Sequence, residues 1–151
     1  MLADDLFRKQ LAATTSQLSA WADTYRGAGQ FDIREGNGFW SLSAKPQTPG
    51  ACPATLVLRS DQKFDLSLAG HSYEDRSIED LSLFPALFEA VGQGNVERVS
   101  LTSALTGALL AVETRVLLGG GRNWCERRNT GSDSNADAVI EETVRYLPYK
   151  R

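Results

Sequence analysis

The chain of 151 residues is 42% hydrophobic and 23% charged, with a formal net charge of −3. That apolar content suits one packed domain over residues 1–151 and excludes a disordered tail, a collagen-like repeat or a small disulfide scaffold. Acidic and basic residues are spread over both halves, so the basic face that duplex binding requires is missing and general nucleic-acid binding is not expected.

The start, Met1-Leu2-Ala3-Asp4-Asp5-Leu6, is acidic where a secretory signal is basic, and no apolar stretch of signal length follows. The longest nearly apolar run, 104–112, is far shorter than the ~20 residues of a membrane-spanning helix. A cytoplasmic protein without membrane attachment is expected. An amphipathic helix is predicted over 3–25, where Phe7, Leu11, Thr14, Leu18, Trp21 and Tyr25 recur at steps of three and four. Such a stripe either covers a sheet or pairs with a second copy. Gly27 and Gly29 are expected to end the helix.

A hairpin follows, with strands at 31–35 and 39–44 around Gly36-Asn37-Gly38. Phe39 and Trp40 are neighbours in one strand, so one points to the core and the other away from it. After a loop rich in proline and glycine over 45–53, two strands are predicted. Residues 54–59 are almost wholly apolar, as in a sheet centre, and 63–69 alternate with Phe64, Leu66 and Leu68 facing in. The polar stretch 71–79 reads as loop. Phe84, Leu87, Phe88 and Val91 then form one face of a short helix, with Pro85 in its first turn and Gly92 and Gly94 at its end. Strands are expected at 96–102 and 107–118, the second apolar on both sides and therefore central or covered by helix. Gly119-Gly120-Gly121 breaks it, and 122–133 reads as irregular. Ser132, Asp133 or Ser134 is expected to cap a last helix through Val139, Ile140, Val144 and Leu147, stopped by Pro148.

The expected fold is α+β: a mainly antiparallel sheet of about six strands with helices on one face, in the order α-β-β-β-β-α-β-β-α. Leu18, Trp21, Phe64, Leu66, Leu87, Val112 and Val116 are the expected core.

Few residues carry recognisable chemistry. His71 is the only histidine and is followed by Ser72, Tyr73, Glu74 and Asp75. It could act as a base beside carboxylates, but no GxSxG motif supplies a nucleophile. Cys52 and Cys125 lie far apart without CxxC spacing, so a cysteine zinc site lacks ligands, and no metal or other cofactor is expected. The segment Gly119 to Arg128 is the most unusual. Its glycines could form an anion-binding nest, Arg122, Arg127 and Arg128 could fork onto phosphate or carboxylate, and Trp124 could stack on a flat group. Neither the Walker pattern nor GxGxxG is present. The arginines near Cys125 would lower its thiol pKa; the blander reading is a packed, inert thiol.

The sequence favours a non-enzymatic binding or adaptor domain, and a homodimer whose interface includes the outward aromatic of the Phe39–Trp40 pair is expected. The alternative is a small enzyme or anionic-ligand-binding domain using Arg122, Trp124, Arg127, Arg128 and His71. Convergence of His71, Arg122 and Cys125 on one concave pocket would favour that alternative. In its order of elements alone, the chain is similar to type III secretion chaperones, whose fold interleaves three helices with a sheet. The resemblance implies protein binding; the extra strand and the glycine-rich segment depart from it.

Overall fold

The computed structural model describes residues 3–130 and 138–150. Helix α1 (Asp4–Tyr25) leads through a 3₁₀ turn (Arg26–Ala28) into a five-stranded antiparallel meander: β1 (Gly29–Gly36), β2 (Phe39–Pro46), β3 (Ala54–Arg59), β4 (Lys63–Leu68) and β5 (His71–Ser77). Helix α2 (Leu83–Gln93) follows. A second antiparallel sheet is built from β6 (Val96–Ser103), β7 (Leu109–Gly119), β8 (Arg122–Asn129) and β9 (Val139–Arg145), in the spatial order β8-β7-β6-β9.

The first sheet shows why alternation sets its faces. Trp40, Leu42 and Ala44 of β2, Ala54, Leu56 and Leu58 of β3, and Phe64, Leu66 and Leu68 of β4 are all buried. The residues between them point to the other side, half-buried or exposed. The apolar strand β3 is the centre of this sheet. The α1 stripe buries Phe7, Thr14, Leu18 and Trp21 in the same core, so the stripe covers its own chain. α1 and α2 pack on one another, with α1 also against β1 and β2 and α2 against β7. The helices therefore serve two sheets. Val96 and Val116 bring the second sheet into the common core.

The C-terminal segment ties these parts together. Tyr149 is buried, and its Oη donates to the Cys52 carbonyl at 2.5 Å. Its N–H donates to Gly92 C=O at 2.9 Å, and Thr48 Oγ1 donates to its carbonyl at 3.0 Å.

The α+β class and the antiparallel pairing agree with the sequence. Several segments differ. Nine strands, not about six, are present among the described residues. Residues 71–77 form β5 instead of a loop; Tyr73 is its one buried side chain, so the strand has little apolar alternation. Residues 122–129 form β8 instead of irregular chain, an edge strand with only Trp124 and Glu126 even half-buried. The expected last helix is the strand β9. Val139, Ile140, Thr143 and Val144 are β-branched and suit a pleated surface, and β9 pairs with β6 along its whole length. With a strand in that place, the resemblance to secretion chaperones is left without its third helix. The expected cap at Ser132, Asp133 or Ser134 lies outside the described residues.

Smaller differences have local causes. α1 ends in the 3₁₀ turn, and Gly29 opens β1 in extended backbone at φ 172°. In the hairpin the positive φ falls on Gly38 alone, at 86°. Val112 is half-buried: its ladder partners are Ser100 and Arg128, so no large apolar neighbour flanks it. The other expected core residues are buried.

Candidate functional site

Two concave surfaces beside the helices are lined by aromatic side chains. The first is a groove of about 310 Å³ between α1 and the β1–β2 hairpin. One wall is a single helical face, Arg8, Leu11, Ala12 and Thr15, whose spacing of three and four residues stacks these side chains. The floor is Trp40 and Leu58, and Phe39 forms part of the opposite wall. Trp40 is 7% exposed and Phe39 41%, the division that strand alternation predicts. Phe39 pairs with Gly36 across the hairpin. A Cβ on Gly36 would stand 2.3 Å from the Phe39 ring, so glycine at this position lets the ring lie across the strand beside the groove. Arg8 and Glu35 supply one charge of each sign. A shallow apolar slot with a charged rim is suited to one large apolar side chain of another molecule.

The second surface is a cleft of about 440 Å³ between the first turn of α2, the end of β5 and β8. Two of the sequence candidates, Arg122 and Trp124, line it together with Phe64 and Phe84. Its lining holds three carboxylates, Glu79, Asp80 and Glu126, against two guanidiniums, Arg76 and Arg122. Arg76 is 3.1 Å from Glu126 in an ion pair. Asp80 accepts hydrogen bonds from the Ser82 hydroxyl at 2.8 Å and the Ser82 N–H at 3.0 Å. These bonds, with the Arg122 charge adding, hold the Asp80 carboxyl below the usual carboxylate range. An anionic ligand entering here would meet Glu79, Asp80 and Glu126 as well as Arg76 and Arg122.

The remaining candidates go elsewhere. Alternation along β8 turns Trp124, Glu126 and Arg128 to one face, and Cys125 and Arg127 to the other. Trp124 meets Tyr73 edge to face, with ring centroids 5.5 Å apart. Arg128 stands over the same ring at 5.6 Å and donates to the Ser72 carbonyl. His71 is half-buried at the start of β5, paired with Leu68. On the opposite face, Cys125 donates to Glu113 Oε1 at 2.5 Å. Burial of its sulfur and the Glu113 carboxylate push the thiol up to about 11, against the lowering influence of Arg115. The nearby arginines therefore do not make it a thiolate at neutral pH. His71, Arg122 and Cys125 occupy three separate places and do not converge.

No family model matches the chain, and no curated protein or solved structure is detectably similar to it.

Sequence reasoning placed Leu11 in the helical stripe and left one aromatic of the Phe39–Trp40 pair exposed. It missed Arg8, Thr15, Glu35 and Leu58 as parts of one site. Only the i, i+3, i+4, i+7 spacing of Arg8, Leu11, Ala12 and Thr15 hinted at a shared face.

Proposed function

We propose that this chain is a non-enzymatic, protein-binding domain that acts as a homodimer and receives an apolar side chain of its partner in the α1–hairpin groove. The observation that carries the reading is the pairing of exposed Phe39 with the apolar floor of Trp40 and Leu58. Aromatic side chains at the rim of a small apolar slot are the usual anchors of protein–protein contacts. The dispersal of His71, Arg122 and Cys125 supports binding over catalysis, and the surplus of carboxylates in the α2–β8 cleft disfavours an anionic ligand there. The two free thiols, Cys52 and Cys125, fit a reducing, cytoplasmic setting.

Selection of a random-peptide display library on the purified protein tests this. Enriched peptides are expected to share one large apolar residue and to lose binding to the Phe39→Asp variant. Enriched peptides that bind Phe39→Asp as well as the wild type would overturn the groove as the site.

A further inference from the structure

We infer that a cleft between α1 and the segment entering α2 binds a small, neutral, polyhydroxylated ligand of the sugar or polyol class. The cleft holds about 300 Å³, enough for a small ligand. Its α1 wall is Gln10, Ala13, Thr14 and Gln17, and Asp80, Leu81 and Ser82 form the rest of the lining. The spacing i, i+3, i+4, i+7 puts the four α1 residues on one face. The α1–hairpin groove uses Arg8, Leu11, Ala12 and Thr15 instead, so the two hollows flank the buried stripe of α1 on opposite sides.

Thr14 is the observation that points to a ligand. It is the polar residue within the apolar stripe and is only 6% exposed. Thr15 and Thr24 on the same helix donate back to the Ala12 and Ala20 carbonyls, at 3.1 and 3.0 Å. The Thr14 hydroxyl makes no hydrogen bond to any described residue, and burying a hydroxyl without a partner costs free energy. Among the described residues, Trp21 Nε1 is the one fully enclosed side-chain polar atom without a partner. Thr14 Oγ1 is therefore not enclosed, and it opens onto the cleft that Thr14 lines.

The groups around Thr14 decide the class of ligand. Both bonds from Ser82 end on Asp80 Oδ1, which leaves Oδ2 as a free acceptor. The Gln10 and Gln17 side chains are exposed and bond to no described residue. Among the described residues no basic side chain lines the cleft, so an anion would meet only the Asp80 charge. A cation would find that charge already offset by Arg122 and would leave the glutamine N–H groups without acceptors. A hydroxyl both donates and accepts. A ligand with several hydroxyls can donate to Asp80 Oδ2 and exchange bonds with Thr14, Gln10 and Gln17 together. A few neutral hydrogen bonds support affinity in the millimolar range.

NMR titration of the isotope-labelled full chain with glycerol, glucose and myo-inositol tests the site. At least one of these probes should shift the side-chain amide signals of Gln10 and Gln17, with saturation in the millimolar range. Thr14→Val should weaken that binding about fivefold, the scale of one neutral hydrogen bond. The same variant should not lower the urea midpoint, because the hydroxyl it removes bonds nothing within the chain. Gln17→Ala, an exposed and helix-compatible change, should weaken binding to a similar degree when read at Gln10. No shift with any probe, shifts that do not saturate, or shifts unchanged in both variants would overturn the site. Shifts with methylammonium and with none of the polyols would overturn the class of ligand. A lowered urea midpoint for Thr14→Val would place its hydroxyl in a bond within the fold and remove the observation on which the site rests.

Discussion

Tyr73 Oη on β5 donates a buried hydrogen bond of 3.1 Å to Thr114 Oγ1 on β7 and so bridges the two sheets. Trp124, Arg76 and Arg128 surround the same ring, which makes Tyr73 a point of contact between sheets that share no ladder. Removing one partner of a buried hydrogen bond leaves the other unsatisfied, at about 1–3 kcal/mol. Tyr73→Phe and Thr114→Val should each destabilise in that range, and the double variant should cost less than their sum. Urea unfolding of the three variants measures the coupling; full additivity would contradict a bond that bridges the sheets.

Leu66 is 1% exposed at the centre of the inner face of the first sheet. Leu66→Ala should cost about 2–5 kcal/mol, as truncation in a packed core does. Val112→Ala should cost only about 1 kcal/mol, because its side chain is half in water already. Denaturant midpoints that rank these two in the opposite order would contradict the assigned faces.

Cys125 should alkylate slowly at neutral pH despite its exposure. Its thiol sits near 11, and the thiolate is the reacting form. The iodoacetamide rate should rise with pH up to that range, and Glu113→Gln should shift the profile to lower pH by removing the adjacent carboxylate. A rate that levels off by about pH 8, the region of an unperturbed thiol, would contradict the Cys125–Glu113 contact.

Alkaline pH should destabilise the fold. Burial pushes Cys52 up to about 12 and raises Tyr149 above the ordinary tyrosine value. Both groups are held neutral in the native state and release protons more readily once unfolded. Their contribution is complete below the unfolded values and falls as pH rises from there toward the folded ones. Thermal melting across pH 8 to 11 should show Tm declining above about pH 9, where an exposed thiol and then a phenol ionise. A flat profile would contradict the burial of both groups.

Apart from β5, the first two thirds of the fold were legible because hydrophobic period and secondary structure agree there. The α1 stripe, the alternation at Phe64, Leu66 and Leu68, and the face of Phe84, Leu87, Phe88 and Val91 all read directly. β5 and β8 were hidden because edge strands bury little: Tyr73 and Trp124 are nearly alone among polar neighbours. In and just after β9, Val139, Ile140, Val144 and Leu147 mimic helical spacing, while the β-branched Val139, Ile140, Thr143 and Val144 favour a strand. The groove was half legible. Leu11 and the exposed aromatic at Phe39 came from local pattern, but the meeting of α1 with the hairpin is a tertiary fact that local pattern does not encode. The glycine-arginine segment stands out by composition, and alternation along β8 divides its residues between two faces.

The groove as the partner-binding site is tested most directly by the Kd of a display-selected peptide for three proteins: the wild type, Phe39→Asp in the groove, and Arg122→Ala in the α2–β8 cleft. Phe39→Asp should weaken binding by at least about tenfold, the scale of losing an aromatic anchor, while Arg122→Ala leaves it unchanged. Loss of binding in Arg122→Ala with Phe39→Asp unaffected would contradict the account and move the site to the cleft.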